Sequence, residues 1–376
     1  VLQIIRNTFP ELLAVWQRYL LGDNGLEELI VEMMTAAVMY GPKDLRVEQV
    51  PRPVCEPDGM VIRIDAVGLC GSDIRNLTTD SRNGDYPHII GHETVGTVVE
   101  VGPKVTKYKV GQRLFVHPNA PCLRCEMCRR GMDNMCLNLN TYATVQGGFA
   151  QYMPIPHWGV DGGNIWEIPD DIKAEHATLA EPLSSVYACQ EEINVTLGDT
   201  VVVIGAGPIG CFHAELAKLR GAAKVIMVEI NERRLQASMQ FGVDHGINSS
   251  KTDPVHAVMD LTGGKGADKV ISANPSTVAQ QQAIFMCAPG GIVTFFGGVP
   301  RGVLTELDTN HIHYSNIWVY GHYGATSTQC KKALDLIIDR RFKAEKYITH
   351  VMPLAQINEA IELTVSGEAQ KVVLIP

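Results

Sequence analysis

Between Thr35 and about Ala180 the apolar positions fall in short runs, residues 36–40, 61–67, 95–101 and 113–116, each cut off by Gly or Pro. Runs of that length and composition predict a compact, mostly antiparallel β unit. From Ser184 to about Ser315 the rhythm changes: runs at 201–204, 225–228, 269–272 and 292–296 alternate with helix-length stretches, and a last candidate lies at 317–320. Strand and helix in alternation predict a parallel, doubly wound sheet. After Thr326 the pattern gives a helix over 331–338, a short strand, a helix over 354–365 and a terminal strand at 371–375. The expected class is α/β, and no internal repeat or low-complexity tract interrupts it.

A chain of 376 residues supports two or three folding units. Its formal charge of −9 offers no basic footprint for nucleic acid, and no apolar run nears the roughly 18 residues that span a bilayer. Neither kind of partner is expected. Residues 1–34 form an extension of unknown role, in which Leu12-Leu13-Ala14-Val15-Trp16 is shorter than a membrane span. The segment has no basic start followed by a small-residue cleavage site, so it does not read as a secretory signal. Of ten cysteines, four are crowded between Cys122 and Cys136 and six stand singly, which favours metal ligation in a reducing, cytoplasmic compartment over secreted disulfides.

Val201-Val202-Val203-Ile204 runs directly into Gly205-Ala206-Gly207-Pro208-Ile209-Gly210, and a helix is expected from Cys211 to Arg220. Gly205 permits the tight turn, Gly207 lets the backbone approach a pyrophosphate, and Gly210 lets helix pack on strand. The helix start offers free N–H groups and a positive dipole end to the phosphates. Glu229 ends the next strand, 19 residues past Gly210. A carboxylate there accepts hydrogen bonds from the adenosine ribose and repels a 2′-phosphate, so NAD is expected over NADP. The alternative is that Arg233 and Arg234 receive that phosphate.

Cys122-x2-Cys125-x2-Cys128-x7-Cys136 supplies four thiolates in one loop, the donor set of a closed tetrahedral zinc site. An iron–sulfur cluster fits less well, because the bacterial pattern brings its fourth Cys closer and follows it with Pro. A second set is dispersed: Cys70, His92-Glu93 and Glu181. Spacing alone does not join them.

In order along the chain stand Gly68-Leu69-Cys70-Gly71-Ser72-Asp73, Gly91-His92-Glu93 leading into residues 94–102, the 110–114 turn, the four-cysteine lobe, Ala180-Glu181-Pro182, residues 201–210 and the closing 371–376. Together they resemble the zinc-dependent medium-chain dehydrogenase/reductase family, in the branch of sorbitol, other polyol, glucose and threonine dehydrogenases. The resemblance covers essentially everything from Thr35 to Pro376. It implies a GroES-like β-rich catalytic domain from residues 35–183 and 325–376, with a Rossmann NAD-binding domain, 184–324, inserted between them. It further implies two Zn²⁺ per chain. Cys70 and His92 ligate the catalytic ion, with Glu93 as third ligand as in polyol members, or Glu181 as in some relatives. Ser72 matches the hydroxyl that takes the substrate proton. Many relatives carry His where this chain has Arg75, which stays protonated and cannot be an exit base; it bonds the cofactor ribose or pyrophosphate, or stands in solvent.

The implied reaction is hydride transfer between NAD and a secondary alcohol of a polyol, sugar or polyol phosphate. A threonine-type amino-alcohol dehydrogenase and a non-catalytic cofactor-binding relative are the alternatives. Tyr86, His88, Asn119 and Tyr142 either line a polar cleft or are surface residues. A homodimer or homotetramer is expected from the same resemblance.

Overall fold

The computed structural model describes residues 31–79, 85–142 and 145–376, so residues 1–30 of the extension lie outside it. The first strand, Met33–Gly41, begins three residues ahead of the expected run at 36–40. Met33 and Met34, read from sequence as extension, belong to it, and Met34 is buried.

The strand Met60–Gly68 is the hub of the first sheet, apolar and buried along most of its length. It pairs antiparallel with Glu93–Val101, Tyr152–Ile155 and the terminal Lys371–Ile375. Glu93–Val101 continues to Arg113–Val116 and then Ile165–Glu167, while Lys371–Ile375 pairs in parallel with Ile348–Pro353. Residues from both ends of the chain therefore share one sheet. A smaller sheet joins Asp44–Pro51, Met33–Gly41 and His88–Ile89.

The second large sheet is parallel throughout. Its order is His245–Asn248, Lys224–Glu229, Thr200–Ile204, Ala267–Ser272, Cys287–Phe295, Trp318–Gly321. In sequence terms this is 3-2-1-4-5-6, the doubly wound Rossmann arrangement. Val201, Val202 and Val203 are wholly buried, which an all-apolar run needs when helices cover both faces. The edge strand His245–Asn248 was not foreseen, because His, Gly and Asn break its apolar pattern. The helix after Gly207 starts at Pro208 rather than Cys211, since proline's fixed φ suits a first helical turn. The helix expected over 331–338 starts earlier, at Ser327, where Thr326 and Gln329 form a capping box. Among the described residues no helix is long and apolar enough to cross a membrane.

Candidate active site and metal centres

Register places the first cluster. Gly68 faces Glu93 across the ladder, and a Cβ on Gly68 would lie 1.8 Å from Glu93 Oε2, so only glycine leaves room for that carboxylate. Two residues later Cys70 is the N-cap of the helix Gly71–Thr78. Its N–H donates to Asp73 Oδ2 at 3.1 Å, and Asp73 Oδ1 lies 3.0 Å from His92 Nδ1. A buried carboxylate only accepts, so Asp73 holds a proton on Nδ1, and Nε2 is the ring nitrogen that Asp73 does not engage. Ser72 Oγ stands 3.2 Å from that Nε2. Burial pulls the His92 pKa down, but Asp73 and the Cys70 sulfur together hold it well above the ordinary value.

Glu93 is fully buried and would be costly to ionise alone. Lys371, 5 % exposed, places Nζ 2.6 Å from Glu93 Oε1 and 3.0 Å from Leu69 O. Glu181 opens the helix Ala180–Glu192 as a half-buried residue. Burial pushes its carboxyl up to about 7; Glu93 and Asp73 add to the rise while His92 and Lys371 oppose it. Ligand atoms of Cys70, His92 and Glu93 all lie within 4.8 Å of one another, and Glu181 is not in that set. One thiolate, one imidazole and one carboxylate fit a catalytic zinc that keeps an open position.

The four cysteines converge as well, with their Sγ atoms within 4.8 Å of one another. Leu123 and Gly131 take positive φ so that the loop can wrap, and Cys125 caps the single-turn helix Glu126–Arg129. Backbone N–H groups of Arg124 and Cys125 draw Cys122 down to about 6, while burial and the neighbouring thiols push Cys128 up to about 12. Thiols so crowded ionise together only around a cation. Asp133 accepts from Ser327 N at 3.1 Å, and Asn134 Nδ2 donates to Tyr323 O at 2.8 Å, which ties the lobe to the start of the helix Ser327–Ile338.

At the Gly-rich turn Gly205 has φ +110°, and its N–H donates to Val228 O at 2.8 Å. A Cβ on Gly207 would meet nothing within 4 Å, which leaves the backbone open to a ligand, whereas one on Gly210 would lie 1.7 Å from Gly205 O. Pro208 starts the helix and Ile209 packs on the core beneath it. Glu229 is held by the backbone around it. Oε2 accepts from Ala206 N at 2.7 Å, and Oε1 accepts from Ile230 N and Asn231 N, both at 2.9 Å. It braces the turn because the longer Glu side chain folds back onto unpaired N–H groups. Arg234 is engaged as well. Its guanidinium lies so close to Gly367 that a Cβ there would be 2.5 Å from Nη2, so it packs on the C-terminal end of the helix Ile357–Ser366. Arg75 and Arg233 are exposed, with no side-chain hydrogen bond or ion pair among the described residues.

Tyr142 is neither cleft lining nor surface but core: it is 2 % exposed and its ring centroid lies 4.8 Å from that of Trp158. Tyr86 packs partly buried against the same core, Asn119 pairs with Thr141, and His88 pairs with Met39. Sequence reading assigned no role to Asp73 or Lys371. Each had a signal: an acid three residues past a helix-capping Cys, and a lone cation in an otherwise apolar terminal strand.

Residues 56–170 match the family profile described as alcohol dehydrogenase GroES-like domain, and residues 208–339 the one described as zinc-binding dehydrogenase. A sorbitol dehydrogenase of Bombyx mori is 33% identical over 348 residues, 90% of this chain and 97% of the relative. The chain belongs to the zinc-dependent medium-chain dehydrogenase/reductase family. Within that family an L-threonine 3-dehydrogenase of Xanthomonas oryzae pv. oryzae (strain MAFF 311018) is 32% identical over 337 residues, 88% of this chain and 96% of the relative. Among solved medium-chain dehydrogenases, a zinc-binding dehydrogenase from Sinorhizobium meliloti 1021 bound to NADP superposes with TM-score 0.83 at 27% identity, covering 92% of this chain and 100% of that one. The 2R,3R-butanediol dehydrogenase of Bacillus subtilis gives TM-score 0.82 at 27% identity, covering 91% and 99%. The protein is thus an oxidoreductase of this zinc-binding family, with a nicotinamide cofactor.

Proposed function

We propose that this dehydrogenase oxidises a secondary alcohol of a polyol, sugar or polyol phosphate with NAD. The observation that carries the reading is the trio of Cys70, His92 and Glu93, with a carboxylate where a second thiolate would make the site softer. An oxygen-richer donor set suits a substrate that chelates through two adjacent oxygens. The likeness to sorbitol dehydrogenase supports it. When bound, zinc on this donor set supplies Lewis-acid polarisation of the substrate oxygen, and NAD supplies the hydride acceptor.

The chain's own residues do the rest. Ser72 takes the hydroxyl proton, Asp73 keeps His92 in one tautomer, Lys371 offsets the charge of Glu93, and Glu181 stands as a nearby carboxyl outside the ligand set. Arg75, always protonated, leaves the proton to exit through water. The fixed negative charge of Glu229 beside the Gly-rich turn favours NAD over a 2′-phosphate. The four-cysteine lobe would hold a second zinc, and ten cysteines with no disulfide among them suit the cytoplasm. The molecule is a closed homo-oligomer, for which the exposed edge strand Trp318–Gly321 offers a surface.

A second reading, a threonine-type amino-alcohol dehydrogenase, draws on a likeness of nearly equal strength. The deciding experiment follows absorbance of the reduced nicotinamide with a panel of polyols, sugar phosphates and threonine, each with NAD and NADP. Turnover confined to threonine, or to NADP, would displace the proposal.

A further inference from the structure

A row of backbone hydrogen bonds runs along the carboxyl edge of the parallel sheet. In each, the residue just past one strand donates to the strand beside it: Gly205 N to Val228 O (2.8 Å), Ala273 N to Ile204 O (2.9 Å), Phe296 N to Ser272 O (3.1 Å) and His322 N to Phe295 O (3.2 Å). The row starts at the strand that carries Glu229 and ends four strand spacings away, on the order of 19 Å, at His322. In a doubly wound sheet a dinucleotide lies across this edge, one nucleotide to each half. With its adenosine half near Glu229 and its pyrophosphate at the Gly-rich turn, the nicotinamide end falls in the half that ends at His322.

At that end His322 reaches the helix Ala180–Glu192, which begins beside the metal site. Its Nε2 lies 3.2 Å from Ser185 Oγ. Ser185 follows Glu181 by four residues in the helix Ala180–Glu192, so both side chains leave the same helical face, and Glu181 stands among the charges of the metal site. The imidazole also stacks on Phe296, with centroids 5.2 Å apart and planes 13° apart, and Phe296 meets His213 edge-on at 4.7 Å. Burial pushes the His322 pKa down to about 4, so near pH 7 it is a neutral hydrogen-bonding partner rather than an acid.

We infer that His322, by holding Ser185 and stacking on Phe296, is a positioning residue that fixes the nicotinamide end of the cofactor against the metal site. The inference rests on the dehydrogenase reading above. His322 takes no part in the chemistry; it sets how the ring is held.

Calorimetric titration with NADH and with ADP-ribose, which lacks the nicotinamide, tests it. His322→Phe keeps a ring on Phe296 and removes Nε2; Ser185→Ala removes the hydroxyl. Each should weaken NADH binding about 5–10-fold, the worth of one hydrogen bond, and the double variant should be no weaker than either single one. ADP-ribose affinity should stay unchanged throughout, which also reports an intact sheet. Unchanged NADH affinity, or equal loss for both ligands, overturns the role of His322. Wild-type protein that binds neither ligand overturns the dehydrogenase reading and this inference with it.

Discussion

Asp73 and Lys371 give no ligand atom to the trio, yet each governs a residue that does. Replacing Asp73 with Asn keeps an acceptor near His92 Nδ1 but removes the charge, and zinc affinity at the catalytic site should fall about 10–100-fold. Competition with a chromogenic chelator measures it, and unaltered affinity would remove Asp73 from the site. Lys371→Met leaves Glu93 buried without a counter-charge, which should cost about 3–5 kcal/mol in denaturant unfolding of chelator-treated protein. Adding Glu93→Gln should recover part of that loss. A Lys371→Met variant as stable as wild type would show that Glu93 finds another partner. At this scale the sequence was legible where a residue type is itself chemistry, as with Cys70 and His92. It was silent on which carboxylate meets them, because Glu93 and Glu181 differ only in where the strand register and the helix start carry them.

Among the elements, the four-cysteine loop and the Gly-rich turn were the most legible, since each keeps its chemistry within about fifteen residues. Because the loop is tethered to the helix Ser327–Ile338 through Asp133 and Asn134, Cys122→Ser should lower both zinc content and melting temperature. Cys70→Ser should abolish turnover with little loss of fold. If elemental analysis finds a single zinc in active wild-type enzyme, or if Cys122→Ser melts like wild type, the lobe is not a structural metal site. Glu229→Ser has two expected consequences. It removes the acceptor that holds Ala206, Ile230 and Asn231, and it removes the charge that repels a 2′-phosphate. NAD binding should weaken and its advantage over NADP narrow; NAD affinity equal to wild type would mean that the turn holds without this brace. Edge elements such as His245–Asn248 escaped the sequence pattern because an edge strand needs backbone pairing more than an apolar run.

For the whole molecule, the strand Trp318–Gly321 ends the parallel sheet, and among the described residues no strand pairs with its outer side. Nearby, Trp318 is 68% exposed and Tyr314 83% exposed, an apolar edge that a lone protein would be expected to protect. Light scattering at assay concentration should give a dimer or a multiple of it. Val319→Pro, which removes an edge donor, should shift the protein toward monomer. A wild-type monomer would discard the oligomer, and an unshifted Val319→Pro variant would move the interface elsewhere.

The sequence by itself determined the fold class, the parallel sheet with its Gly-rich turn, the four-thiolate lobe and the residue types of the dispersed site. Each of these is written in a local period or spacing, and local backbone geometry turns spacing directly into position. Only the tertiary structure decided that Gly68 makes room for Glu93, that Lys371 returns from the far end of the chain to neutralise it, that Glu229 braces the turn, and that Arg234 packs on Gly367. Those pairings span up to 278 residues, and they depend on register between strands whose apolar patterns are alike. An apolar pattern says which face a residue takes, while the register of distant segments says what it meets there.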